Sequence, residues 1–233
     1  LRQAAEMSRF DVLAFTDSHC IVSRDWIFRI HKHLGKKQVL SGAVDHGGRF
    51  MERFSRMTTH GEFSSPEGKK IANIFDGNFV IKRETLISVI SDLPLCPPVS
   101  DGAGALLLAR ILARKGIPVY HEPEIRVFHE SENFFQSLRM WSRVYGMNTL
   151  ITRSLDGSLS GSRFLKVPWL VPLVFPCGRG GSLAARLLTE RKFYGMKPHE
   201  IPVGLGWIFA CMVSYGFGLI FPVISMTKER WRP

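Results

Sequence analysis

Cysteine is scarce and scattered: Cys20, Cys96, Cys177 and Cys211 are the only four in 233 residues. No two share a paired spacing, which argues against a disulfide scaffold and against a structural zinc knuckle. Acid is missing from one part of the chain. Residues 138–233 hold 4 Asp+Glu against 13 Lys+Arg, so +9 of the net +11 lies there; residues 1–137 hold 16 against 18, a net of +2. Internal repeats and low-complexity tracts are absent. The opening LRQAAEMSRF is too polar for a secretory signal, and a first residue other than Met is read as a fragment or a processed product. What is present, 45% hydrophobic and 22% charged residues, is ordinary globular composition and excludes a disordered tail or a collagenous repeat.

The longest stretch without charge is 201–227, IPVGLGWIFACMVSYGFGLIFPVISMT, 27 residues. As a helix it would run about 40 Å, more than the ~30 Å hydrocarbon core of a bilayer. Lys228, Arg230 and Arg232 follow it, and Trp207 and Trp231 stand near its ends, as interfacial anchors do. Gly206, Ala210, Ser214 and Gly218 recur at i+4, a stripe on which another helix can pack. A transmembrane helix over 201–227 is expected, with a buried helix of a soluble domain as the plainer reading. A second apolar stretch, VPWLVPLVFPC (167–177), is expected to be broken by its three prolines and is too short to span alone. It reads as a re-entrant or interfacial segment, or as the end of a span starting near Phe164. Arg179, Arg186, Arg191, Lys192 and Lys197 lie between the two stretches, and the positive-inside tendency puts that loop on the cytoplasmic face.

The first 137 residues alternate in pattern. DVLAFT (11–16) is a short apolar run that reads as a buried strand. Trp26–Leu34 has apolar residues at 26, 27, 30 and 34, a helical spacing, with Gly35 as C-cap. Val39–Val44 reads as a second strand, 45–72 as a polar loop with one short helix, and Asn78–Lys82 as a third strand leading into the helix RETLISVI. Asp101–Lys115 is a strong helix pattern closed by Gly116, and Ile117–Tyr120 and Ile125–His129 read as two short strands. This alternation predicts an α/β domain with a mainly parallel sheet over residues 1–150, followed by a basic, membrane-associated helical region over 151–233.

In such sheets ligands bind beyond the carboxyl ends of the strands. The first strand runs into Asp17-Ser18-His19, the last into His129-Glu130, and Asp101 opens a helix after the proline-rich LPLCPPVS. Asp17 and His19, two apart, can offer one O and one N donor to a divalent cation, a mixture that suits Mn2+ better than Ca2+. Taken singly these residues do not separate function from structure. A strand-end His is commonly a satisfied structural residue, and Asp101 before Gly102 equally fits an N-cap.

Taken in order they resemble a family. FDVLAFTDSHCIVSRDWI is similar to the metal-binding strand end of family 2 glycosyltransferases, whose hallmark is Asp-x-Asp before a Trp-containing helix. FDGNFVIKRETL resembles their mid-domain Gly-Asn strand. SDGAGALLLARILARKGIPVYHEPEIRVFHE resembles their block of acidic pair, amphipathic helix, strand, Glu-Pro-Glu, strand and His-Glu. The resemblance covers about residues 1–150 and implies a GT-A-type nucleotide-sugar fold that transfers a sugar with inversion, assisted by Mn2+ or Mg2+. It implies Asp101 as general base, Asp17, His19 and His129 as metal ligands, and Asp17, Ser18, Gly77 and Asn78 at donor or acceptor. QSLRMW (136–141) is similar to the Gln-x-x-Arg-Trp of processive members with Met140 inserted, which adds Gln136 and Arg139 to the binding residues. His19 and Ser100 stand where the family usually has acids, and its opening nucleotide-binding strands have no counterpart here.

The expected partners are a nucleotide-sugar donor, an acceptor that is lipid-linked or a polysaccharide, and a membrane, with the catalytic part on the cytoplasmic side. The competing reading is a non-catalytic, membrane-anchored scaffold derived from such an enzyme. Nucleic-acid binding, which pI ≈ 9.9 invites, is set aside because the basic residues flank apolar segments, not an aromatic-studded polar face.

Overall fold

Residues 1–58, 70, 71, 73–92, 103–130, 133–155, 157, 158 and 161–230 are described by the computed structural model. The chain forms two compact units. The first comprises Leu1–Gly48, Thr58–Pro98 and Gly104–Ser131; the second comprises Arg49–Met57, Val99–Ala103 and Glu132–Pro233.

In the first unit the strands are β1 (Val12–Thr16), β2 (Cys20–Val22), β3 (Val39–Asp45), β4 (Lys70–Ile71), β5 (Asn78–Lys82) and β6 (Val119–His129). Their order is β1-β5-β3-β6-β2, with β4 also pairing β6. Only β3 and β6 pair in parallel; β1–β5, β3–β5, β2–β6 and β4–β6 are antiparallel. The sheet is therefore mixed, which corrects the expectation of a mainly parallel one. Of the strands expected from the alternation, β1, β3 and β6 share one direction, whereas β5 does not. β5 inserts between β1 and β3 in the opposite direction, and β2 covers the far edge.

Helices on both faces explain why strand direction left no trace in the pattern. On β3, Val39 points to one face and Leu40 to the other; on β5, Phe79 and Ile81 share a face and Val80 takes the opposite one. One face is covered by α1 (Arg2–Met7), α4 (Arg83–Ile90) and α5 (Ala103–Arg114), through Ala5, Leu86, Val89, Leu108 and Leu112. The other is covered by α2 (Trp26–Leu34) through Trp26, Ile30 and Leu34. A strand buried on both sides reads as an unbroken apolar run whichever way it points.

Ile117–Tyr120 and Ile125–His129, read as two strands, fall in one strand, Val119–His129, with a bulge. Gly42 pairs with Glu122 while its neighbour Ala43 pairs with Arg126. Asn78 fills the gap: its Nδ2 donates to Ala43 O and to Ile125 O, both at 2.9 Å, and its Oδ1 accepts from Trp26 Nε1 at 3.0 Å. A Cβ on Gly42 would lie 2.1 Å from Asn78 Nδ2, so the bulge requires glycine there. The Glu-Pro-Glu segment ties β6 to α2: Glu122 pairs with Lys37 and His33, and Glu124 with Arg29, Lys32 and His33. Hydrogen bonds from His33, then Lys32 and Arg29, push the Glu124 carboxyl down to about 2.

The second unit is helical: α3 (Phe50–Thr58), α6 (Phe134–Met140), a π-helical turn (Trp141–Gly146), α7 (Met147–Leu155), α8 (Val171–Thr189) and α9 (Ile201–Arg230). The 45–72 segment does carry its short helix, α3, and that helix packs here: Phe54 and Met57 share a core with Leu187 and Tyr194, and Arg53 pairs with Glu200. A π turn lets a helix absorb one extra residue. Here it begins at Trp141, directly after Met140 closes α6.

The 167–177 stretch is not broken by its prolines. After a short 3-10 turn it enters α8, which runs through Pro176. Pro172 occupies the first turn, where its missing N–H costs nothing. Pro176 cannot donate to Pro172 O, and that carbonyl faces α9, where a Cβ on Gly216 would come within 3.1 Å. The close approaches Leu187/Gly204, Met212/Gly180 and Pro172/Gly216 run in opposite directions along the two helices, so α8 and α9 are antiparallel. Half of the predicted small-residue stripe is used within the unit: Ser214 Oγ donates to Leu138 O at 2.7 Å, and a Cβ on Gly218 would fall 1.9 Å from Ser142 O.

Among the described residues one helix, Pro198–Ile220, is long and apolar enough to cross a membrane by length and composition, with a mean hydropathy of 1.8 and a third of it buried. Leu205, Phe209, Val213 and Phe217 form an exposed i+4 row along it. Trp231 and Arg232, expected beyond its end, lie outside the described residues.

Candidate active site

Strand direction decides what meets at the sheet edge. β1, β3 and β6 end where β5 and β2 begin, since Thr16 pairs with Asn78, Asp45 with Phe128, and Cys20 with His129. The residues just past those ends therefore gather on one edge of the first unit: Asp17, Ser18 and His19 after β1, His46 after β3, Asp76 and Gly77 before β5, and His129 closing β6.

A tight turn, with Cys20 N donating to Asp17 O at 3.0 Å, carries Asp17–Ser18–His19. His19 Nε2 is 3.9 Å from Asp17 Oδ2, and both side chains are partly exposed. The His19 and His129 rings meet edge to face with centroids 4.7 Å apart; His46 stands 5.4 Å and Phe75 6.2 Å from His129. Gly77 allows the close approach at this edge. A Cβ there would sit 2.9 Å from Asp17 Oδ2 and 2.7 Å from the Phe75 ring. Ser18 is exposed at the apex of the turn.

The electrostatics keep His129 neutral and Cys20 inert. Burial, then the charge His19 can carry, holds the His129 imidazole below its ordinary value, so at neutral pH it is the uncharged ring that ligates metals. Burial and the negative charge of Asp17 push the Cys20 thiol up to about 11, which excludes a thiolate nucleophile.

The structure thus brings together five of the expected residues: Asp17, Ser18, His19, Gly77 and His129. It gives Asn78 another task. That side chain is fully buried and its amide is engaged with Trp26, Ala43 and Ile125, so it builds the bulge behind the edge. Gln136 belongs to the second unit and completes a capping box on α6: Gln136 N donates to Asn133 Oδ1 at 3.0 Å, and Gln136 Oε1 accepts from Asn133 N at 2.8 Å. Arg139 is exposed on the same helix. Asp101 and Ser100 lie outside the described residues. His46 was not foreseen, although it follows the second strand just as Asp17 follows the first. Its neighbour Asp45 is committed to Arg126 at 3.2 Å.

Among the described residues, no three His, Cys, Asp or Glu side chains stand as a ready-made cluster for an ion. The donor chemistry nevertheless fits a divalent cation. The Asp17 carboxylate and the His19 and His129 imidazoles converge on a partly exposed edge, and Gly77 lets the backbone pack directly against Asp17.

No protein-family model matches the chain, and no curated protein does either. Among solved structures it is similar to the mannosyltransferase PcManGT from Pyrobaculum calidifontis in complex with GDP-Man and Mn2+, with a TM-score of 0.49 and 14% identity, over 92% of this chain. The chain spans 65% of the length of that protein.

Proposed function

We propose that the chain transfers a sugar from a nucleoside-diphosphate sugar to an acceptor hydroxyl, with inversion and with help from a divalent cation, as a GT-A-type family 2 glycosyltransferase. One observation carries this reading. The three sequence blocks that resemble the family are far apart in the chain, and the fold delivers Asp17, His19, Gly77 and His129 from those blocks to a single sheet edge.

In this reading Asp17, His19 and His129 hold the cation, Mn2+ or Mg2+. When bound it supplies positive charge against the diphosphate, where the leaving group gathers negative charge. Ser18 and Gly77 line the donor. Asp101 takes the proton from the acceptor hydroxyl on the face opposite the leaving group, as an in-line displacement requires. We also place α9 across a membrane, with the basic segment before it and the transferase unit on the cytoplasmic side. A lipid-linked or polysaccharide acceptor suits that location.

Mn2+ binding tests the site independently of turnover. Electron paramagnetic resonance titration of the detergent-solubilised 233-residue chain should show one saturable Mn2+ site. His129→Ala and His19→Ala should each weaken it by at least about 10- to 100-fold, since losing a partner that only orients a ligand already costs that much. Equal binding by both variants would remove these residues from the metal site. Tight Mn2+ binding with no turnover of any nucleotide sugar would favour the non-catalytic scaffold.

A further inference from the structure

A cleft in the second unit is assigned no role by the transferase reading. It has a volume of about 440 Å³ and is bounded by the π turn, α7, the loop around Gly161, α8 and Tyr215 of α9. Two guanidinium groups, Arg153 and Arg179, line it, together with the hydroxyls of Thr149, Ser182 and Tyr215; none of its described lining residues is acidic. The rest of the wall is mainly aromatic, with Trp141 and Phe175 buried.

The polar groups are held in place. Arg153 stacks on Phe175, its guanidinium carbon 4.8 Å from the ring centroid, and its Nη1 donates to Thr149 O at 3.2 Å. Thr149 Oγ1 and Tyr215 Oη share a hydrogen bond at 2.6 Å. Gly161, at φ 84°, lets the Phe175 ring close on the loop, since a Cβ there would fall 2.8 Å from that ring. Burial works against the Arg153 cation; Tyr215 offsets part of this, and the positive charge of Arg179 adds a smaller penalty. Two cations that line one cleft whose described lining residues carry no carboxylate are stabilised by an anion bound there.

We infer that this cleft binds a phosphate group. Two guanidiniums match the charge of a phosphate monoester dianion, and their planar forks with nearby hydroxyls match its three terminal oxygens; a carboxylate satisfies one such fork. The volume exceeds a bare phosphate, and the aromatic wall receives the adjoining ester substituent. The shared chemistry admits an inorganic phosphate or the head of a lipid phosphomonoester. The inference concerns the second unit alone and stands whether or not the first unit transfers sugar.

Isothermal titration of the full chain in neutral detergent decides it, with inorganic phosphate as one probe and phosphatidic acid in mixed micelles as the other. The expected result is one saturable site for at least one probe. Arg179→Gln, at an exposed position that leaves packing intact, should weaken it about 10- to 100-fold, as expected for a lost charged hydrogen-bonding partner. Lys192→Gln, on the basic surface outside the cleft, should change it less than twofold. Phosphatidic acid binding at least tenfold tighter than inorganic phosphate assigns the site to a lipid phosphate; equal affinity assigns it to the free anion. No saturable binding of either probe, or equal weakening by Arg179→Gln and Lys192→Gln, would overturn the inference, the latter by showing diffuse charge attraction instead of a site.

Discussion

Asn78→Leu strongly destabilises the first unit. The substitution keeps side-chain volume roughly constant but removes the amide that bridges the bulge. Ala43 O and Ile125 O each lose a donor at 2.9 Å, and Trp26 Nε1 loses its acceptor at 3.0 Å. All three groups lie around a side chain that is 0% exposed, where water does not replace the partner. Each unsatisfied buried group costs about 1–3 kcal/mol, so the sum is roughly 3–9 kcal/mol, a large share of the ~5–15 kcal/mol that holds a typical domain together. Denaturant unfolding followed by circular dichroism should show this loss. A change below about 1 kcal/mol would mean that the bulge does not depend on Asn78. The same experiment separates a structural role from ligand contact, because a ligand-binding residue at this position would weaken donor binding and leave stability unchanged.

Asp17→Asn has the largest expected effect on chemistry. Asparagine preserves the size of the side chain and its fit against Gly77, where Asp17 Oδ2 would be only 2.9 Å from an added Cβ. It removes the one carboxylate in the proposed ligand set. The Asp17 side chain is 37% exposed, so the fold should tolerate the change. Turnover of the nucleotide sugar should fall about 10²- to 10³-fold, the usual cost of removing one electrostatic stabiliser of a transition state. Undiminished turnover, with folding intact by circular dichroism, would remove Asp17 from the site.

How far the fold could be read in advance depended on the kind of signal. α2 and β5 stand at the residues expected because Trp26–Leu34 carries a helical apolar period closed by Gly35, at φ 41°, and NFVIK is an apolar run bounded by polar turns. The opposite direction of β5 was not readable, since β3 and β5 are buried on both faces and show no alternation, while β1, expected as a buried strand, alternates between exposed and buried residues. β2 has three residues, too few to show any period. Glu-Pro-Glu read as a break between two strands because proline there signals interruption, whereas the bulge at Gly42/Ala43 gives Pro123 a place within one strand. α3 lies in the first quarter of the chain but packs in the second unit, a long-range preference that local pattern does not carry.

The site was legible where chain order and strand ends coincide. Asp17, His19 and His129 follow from the rule that ligands gather at strand termini, and the sheet places them together. The same rule applied to β3 would have found His46. Asn78 and Gln136 were assigned to ligands by resemblance, yet their amides are engaged with the protein's own backbone and, for Asn78, with Trp26. Side chains of that type serve turns, bulges and caps as readily as substrates, and only their hydrogen-bond partners distinguish the two uses.

Release of nucleoside diphosphate from a panel of nucleotide sugars, by the 233-residue chain reconstituted in lipid vesicles, most directly tests the central claim of cation-assisted glycosyl transfer. The predicted result is release from at least one donor in Mn2+ that EDTA abolishes and added Mn2+ restores. Absence of release from every donor, or release that EDTA leaves unchanged, would contradict it.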